Sequence, residues 1–432
     1  MRLHLENDSV KQLLFQGNFG LEKEALRITE DGHMAHTPHP FPGDERITRD
    51  FCENQTEINT TIFKSVEEVV ANLDLLNRRI WERLNEQEPR ELLWTFSNPP
   101  YIRDEEDIPI AVFENVEASK MQYRQYLANV YGRYKMTFSG IHFNFSFGGD
   151  LLRAEYAAAT GETIRKGEET NAYREYCNRL YLTLAERLVD YGWLVVAVTA
   201  ASPLLDGSFF SKEKRVEDVV TGMASVRCSE MGYWNAFTPV FDYDDIIQYT
   251  DSIEKYVSDG WISAPSELYY PIRLKPKGAN RLDTLRERGV NHIELRMIDL
   301  NPLRSECIDS RDLKFAHLLI LWLMGLEHRS MSSSLQVQAM SYYKSAAHYD
   351  LDSVKIISHE NKTYTIRQYA IVVLEQMERF YADNPDVLEV LAFEKGKFID
   401  PDTNSYAHII LHGFSKGFVE KGIALSKQRQ HV

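Results

Sequence analysis

The sequence predicts an α+β fold built around an antiparallel sheet. Three observations point to it. Runs alternating polar and apolar residues with the period of a strand stand at 17–29, 139–147, 267–275 and 291–299. Segments with the three- and four-residue apolar spacing of helices lie between them. The two kinds follow one another without a regular strand–helix–strand rhythm, which favours an antiparallel sheet over a doubly wound parallel one.

In chain order, "GNFGLEKEALRIT" (17–29) sets Glu22 and Glu24 on one strand face and Leu21, Lys23 and Ala25 on the other. "ITRDFCENQTEINTT" (47–61) carries Asp50, Glu53 and Glu57. Their spacing fits a helix face, whereas the β-branched tail fits a bent or bulged strand; either geometry turns two of these carboxylates toward a common site. The run 65–87 is a helix opened by Ser65 as a cap. Further helices are expected at 116–131, 169–190, 310–328, 365–381 and 405–427. "SGIHFNFSF" (139–147) opposes His142, Asn144 and Ser146 to Ile141, Phe143, Phe145 and Phe147. "ELYYPIRLK" (267–275) puts Glu267, Tyr269, Arg273 and Lys275 on one side. "NHIELRMID" (291–299) does the same with His292, Glu294 and Arg296. With no repeat and no Pro/Gly/Ser linker, residues 1–432 are expected to form one domain.

The 432 residues are 44% hydrophobic and 26% charged, as in soluble globular proteins. Forty-nine basic residues against 64 acidic ones give a net charge of −15, which argues against non-specific nucleic-acid binding. Cys52, Cys177, Cys228 and Cys307 are scattered and read as free thiols of a reducing compartment. The N-terminus lacks the apolar core of a signal peptide. The apolar stretches 191–205 and 315–328 are too short to span a bilayer, so both read as buried segments of a cytoplasmic protein.

The polar strand faces are unusual in kind. They carry His, Glu and Arg together, where solvated faces favour neutral residues. If they converge, one concavity holds the carboxylates of Glu22, Glu24, Asp50, Glu57 and Glu294 with His142. So many hard donors stay ionised together only around divalent cations, for which Mg²⁺ or Mn²⁺ is suited. Arg227, Arg273, Lys275 and Arg296 would stand beside them, and cations beside basic side chains stabilise a phosphoryl group in transfer. No phosphate-binding glycine loop of either common type is present, so a nucleotide would be held from an open sheet.

"GLEKEALR", "ITRDFCENQTE", "SGIHFNFS", "VRCSEMGY", "ELYYPIR" and "IELRMIDLNP" resemble, in the same order, blocks of the bacterial glutamate–cysteine ligase family, with a weaker match at "MSSS" (331–334). "GNFGLEKEALRIT…HTPHPFP" and "ITRDF" are most similar to the ligase half of bifunctional glutathione synthetases. The resemblance implies a curved antiparallel sheet related to glutamine synthetase, with its concave face as the active site. It implies ATP-dependent phosphorylation of the glutamate side-chain carboxylate, then displacement of phosphate by the amine of cysteine. A separate glutathione synthetase is expected downstream. The resemblance assigns metal binding to Glu22, Glu24, Asp50, Glu57, Glu294 and His142, phosphoryl contact to Arg296, and glutamate binding to Arg227. Tyr123, Tyr233 and Tyr269 would line the amino-acid acceptor pocket. Strand parity adds Arg273 and Lys275 as phosphate contacts. Phe138 replaces the smaller aliphatic residue familiar in that acceptor pocket, so a related ligase using another amine is the alternative reading. A non-catalytic metal–nucleotide binder, or a glutamine synthetase-like or guanidino-kinase-like enzyme, are the others.

Overall fold

The computed structural model describes residues 1–113, 118–210, 219–327 and 329–431. Its main sheet has seven strands: β1 (Gly17–Thr29), β2 (Ile47–Arg49), β3 (Gln55–Asn59), β4 (Glu91–Leu93), β5 (Gly140–Phe147), β6 (Ile272–Pro276) and β7 (Val290–Asp299). They lie in the order β2-β3-β1-β5-β7-β6, with β4 also paired to β1. Every pairing is antiparallel, as the alternation predicts.

One sheet face is apolar because each strand contributes every second residue to it. Leu21, Phe143, Phe145, Ile293 and Leu295 pack there against Leu73, Leu180, Leu184 and Leu319 of helices α1 (Val66–Glu86), α3 (Asn171–Tyr191) and α4 (Ser310–Gly325). Ser65, Thr170 and Asp309 cap these helices by accepting backbone N–H groups. Between α1 and α3 lies α2 (Ala118–Tyr131), which borders the other, polar face. Lys23 is buried on the apolar side, where its Nζ donates to Asn77 Oδ1 at 2.9 Å. It is therefore no counter-ion to Glu22 or Glu24.

Four expectations change. The run 47–61 is neither one helix nor one bent strand but a hairpin of β2 and β3. Its turn directs Glu53 away to Arg49 (2.8 Å) and to the backbone N–H groups of His39 and Val112. The strand read at 267–275 starts only at Ile272. Pro271 has no N–H for the ladder, and Pro265–Glu267 forms a 3-10 turn that removes Glu267 from the sheet. The helix read at 405–427 is two helices, Tyr406–Phe414 and Phe418–Gln430, divided at Gly417 with φ +79°. The helix read at 310–328 ends at Gly325. Residue 328, and residues 116 and 117 of the expected 116–131 helix, lie outside the described residues.

All four cysteines are free and buried. No helix among the described residues is long and apolar enough to cross a membrane.

The core holds a titratable group with a measurable signature. His317 of α4 sits between the rings of Phe19 (centroids 4.9 Å) and Phe145 (5.1 Å), and its Nε2 has no partner among the described residues. Burial lowers its pKa from 6.5 to about 3. The folded chain therefore binds fewer protons than the unfolded chain between those values. Stability is full above 6.5 and falls as pH drops, by about 1.4 kcal/mol per unit from this group. Urea melts from pH 7 to 4 should show a shallower decline in His317→Leu than in wild type; parallel curves would refute the assignment.

Candidate active site

The polar face of the sheet forms the floor of a cleft of about 510 Å³. Register places the side chains. Glu22 stands opposite His142, and Glu24 opposite Glu57. Glu294 stands opposite Asn144 on one side and Arg273 on the other. One extra residue of β7 is accommodated between the pairs Phe143–Leu295 and Ile141–Ile298, a bulge at Arg296–Met297. Such a bulge re-aims side chains, and Arg296 lines the cleft there.

Glu22, His142 and Glu294 each offer a ligand atom within 4.8 Å of the others. His142 Nδ1 lies 3.0 Å from Glu22 Oε2, and Asn144 Nδ2 donates to Glu22 Oε1 at 3.0 Å. Arg296 donates to Glu294 Oε1. Lys275 Nζ forms an ion pair with Oε2 at 2.5 Å. Burial raises the Glu294 carboxyl, but Arg296 and Lys275 outweigh it and hold the group well below its usual range. Burial and Glu294 push Glu22 up; His142 and Lys275 more than offset them.

A second carboxylate group lies alongside, formed by Glu24, Asp50 and Glu57. Burial raises Glu24, and His142 only partly offsets burial and Asp50. Burial, Asp50, Glu22 and Glu24 together push Glu57 well above its usual range. Among the described residues Glu57 has a hydrogen bond from Asn59 (3.3 Å) and no ion pair. This is the chemistry of a cation site: hard oxygen and imidazole donors, too close together to ionise without a positive charge between them. The donors therefore fit Mg²⁺ or Mn²⁺.

The same electrostatics make Glu57 costly to the metal-free fold. Its folded pKa exceeds the unfolded value of 4.5, so its contribution worsens as pH rises through that window. At pH 7 without divalent cations, Glu57→Gln should be more stable than wild type, on the order of 1 kcal/mol, while binding Mn²⁺ more weakly. Thermal melts and Mn²⁺ titration followed by paramagnetic resonance check both halves.

Arg227 enters from a loop and crosses β5 at Gly140, where a Cβ would lie 2.3 Å from Arg227 Cζ. Its guanidinium donates to the carbonyls of Arg296 (2.5 Å) and Ile298 (3.3 Å), with Asp299 at 3.9 Å. Glu230, near it in sequence, pairs instead with His348 at 3.2 Å. Cys228 beneath it is an inert thiol, raised to about 11 by burial. Arg273 lines the cleft while donating to the carbonyls of Ser266 (3.1 Å) and Leu268 (2.6 Å).

Tyr123, Tyr233 and Tyr269 line the wall beneath α2. The rings of Tyr233 and Tyr269 have centroids 3.7 Å apart, and Tyr131 meets both edge-on. The buried hydroxyls of Tyr123 and Tyr233 have Ser266 and Tyr269 as near polar neighbours. Phe138 borders the cleft, but most of it packs on Phe209, Leu205 and Val226. Sequence reasoning gave Asn144 no role in the site and missed Asp299, Arg124 and Tyr131. Period two already put Asn144 on the face of His142, and helical spacing from Tyr123 through Leu127 reaches Tyr131. Asp299 lies beyond the bulge, where strand parity no longer tracks the face.

A model of the glutamate–cysteine ligase family matches residues 3–261 and 238–345. The chain belongs to that family. The bifunctional glutathione biosynthesis protein GshAB of Listeria monocytogenes is 32% identical over 431 residues, covering 96% of this chain and 54% of the relative. GshAB of Pasteurella multocida is 29% identical over 408 residues, covering 92% and 50%. This glutamate–cysteine ligase family member thus spans about half the length of those curated relatives. The crystal structure of a bifunctional glutathione synthetase from Pasteurella multocida superposes with a TM-score of 0.80 at 25% identity, over 100% of this chain and 55% of that one. The glutamate–cysteine ligase of Francisella tularensis, solved with AMP, shares the fold: its TM-score is 0.83 at 20% identity, over 96% and 88% of the chains.

Proposed function

We propose that this chain joins the γ-carboxylate of L-glutamate to the amine of L-cysteine at the expense of ATP, forming γ-glutamylcysteine. The supporting observation is the meeting of three chemistries in one cleft of a glutamate–cysteine ligase family member. Crowded carboxylates lie on the floor, Arg227, Arg273 and Arg296 beside them, and buried tyrosine hydroxyls along the wall. The glycine-adding step of glutathione formation falls to a different catalytic unit.

Glu22, Glu24, Asp50, Glu57, Glu294 and His142 would hold the divalent cations. Mg²⁺, when bound, would screen the repulsion between the γ-phosphate and the glutamate carboxylate. Arg227 binds and orients glutamate, its guanidinium aimed by two carbonyls and by the absence of a side chain at Gly140. A glutamate carboxylate oxygen attacks the γ-phosphorus and ADP leaves, giving γ-glutamyl phosphate. Arg296 neutralises charge developing on the transferred phosphoryl group, and Arg273 and Lys275 support it. The amine nitrogen then attacks the acyl carbon, phosphate leaves with the C–O electron pair, and the nitrogen loses a proton. Tyr123, Tyr233 and Tyr269 orient that amine.

Phe138 narrows the cleft from its core side, and this favours small acceptors. Mass spectrometry of products from glutamate, Mg·ATP and a mixed amino-acid pool tests the reading. Stoichiometric ADP and γ-glutamylcysteine are expected. Clear preference for another amine would overturn cysteine as acceptor, and no glutamate-dependent ADP release would overturn the reaction.

A further inference from the structure

Glu267, expected on the sheet face, sits instead behind the wall of the cleft and is 1% exposed. It closes the 3-10 turn Pro265–Glu267 ahead of β6. One carboxylate oxygen accepts from Tyr131 Oη at 2.8 Å and lies 3.4 Å from Tyr126 Oη, both on α2. The other accepts from the backbone N–H and the hydroxyl of Ser263, each at 2.6 Å. Four donors thus meet a group that only accepts while ionised. Asn235 completes the bracket. Its Nδ2 donates to the Glu267 carbonyl at 2.9 Å and lies 3.2 Å from Tyr131 Oη, while its Oδ1 accepts the N–H of Tyr269 at 2.8 Å.

The bracket fixes rings rather than touching a ligand. Tyr131 meets Tyr233 and Tyr269 edge-on, with centroids 5.2 and 5.5 Å away, and those two rings line the cleft. A carboxylate that sets the angle of Tyr131 therefore sets the wall against which an acceptor lies. The three segments it ties together, α2, 233–235 and 263–269, are far apart in sequence and share no strand pairing.

We propose that Glu267, with Asn235, is the positioning residue of the amine-acceptor pocket, acting through Tyr131 on Tyr233 and Tyr269. This rests on the reading of the cleft as a glutamate–amine ligase site. It separates the two substrates: Glu267 governs the acceptor, whereas glutamate falls to Arg227 and the phosphoryl group to Arg296. In Glu267→Gln the amide NH₂ would face two of the four donors and turn the ring cluster.

Steady-state kinetics of Glu267→Gln, Glu267→Asp, Tyr131→Phe and the double variant Glu267→Gln/Tyr131→Phe test this beside wild type. The KM for cysteine should rise about tenfold in Glu267→Gln and Tyr131→Phe, since small displacements of a positioning group suffice for such losses. The KM values for glutamate and ATP should stay within about twofold. Glu267→Asp should restore part of the loss, and the double variant should be no worse than the poorer single one, because both break one linkage. An unchanged KM for cysteine with only a lowered melting temperature, or an equal loss toward all three substrates, would overturn the proposal. If Glu267→Gln does not fold, Tyr131→Phe decides alone. Wild-type protein without cysteine-dependent ADP release would overturn the functional reading itself, and this assignment with it.

Discussion

Glu294→Gln is expected to abolish turnover, lowering kcat by about 10³-fold, while the chain still folds. The carboxylate is fully buried, receives a hydrogen bond from Arg296 and has Lys275 2.5 Å away. Neutralising it removes a hard donor from the set of Glu22, His142 and Glu294. It also leaves two basic groups facing a neutral amide. Their side chains keep 23% and 15% exposure, so water screens part of the loss and roughly 1–3 kcal/mol of stability should go. Circular dichroism melts and ADP release separate the two effects. Wild-type activity in this variant would sink Glu294 as a cation ligand. The pH sign is fixed by the depressed folded pKa of Glu294: its contribution is present above 4.5 and lost as pH falls toward the folded value.

Gly140→Ala is the second large effect, and it touches no group that reacts. The added Cβ would fall 2.3 Å from Arg227 Cζ and Nη2 and 2.5 Å from Nε. The flexible end of a side chain yields before the backbone of a central strand, so the guanidinium should leave its two carbonyls. The expected result is a loss of about 10²-fold in kcat/KM for glutamate, with a melting temperature within a few degrees of wild type. Unchanged glutamate kinetics would show that Arg227 does not grip that substrate. Arg227→Lys should lose comparably, because an ammonium does not reproduce the planar, multi-donor guanidinium.

Glu294→Gln and Glu57→Gln probe opposite kinds of cost. Glu294 is satisfied by neighbouring charges before any ligand arrives, whereas Glu57 is not, and only Glu57 should stabilise the metal-free fold when neutralised. A cleft that holds strained carboxylates gives up stability for function. The difference between these melts locates where that strain lies.

Much of this was legible without coordinates, and the legible part has one cause. Along a strand, faces alternate with period two whatever the rest of the chain does. The sharing of a face by Glu22 and Glu24, by His142 and Asn144, and by His292, Glu294 and Arg296 is therefore local information. The burial of Lys23 on the opposite side follows from the same rule. The capped helix α1 was readable because Ser65 acts within one turn.

Tertiary structure decided what period two does not reach. Strand order, not sequence, brings Glu57 opposite Glu24. Pro271 ends the ladder and sends Glu267 behind the tyrosine wall, and the bulge at Arg296–Met297 moves Asp299 beside Arg227. Each of these depends on long-range pairing, because a side chain's face is set by its neighbours in the chain but its partners are set by which strands meet.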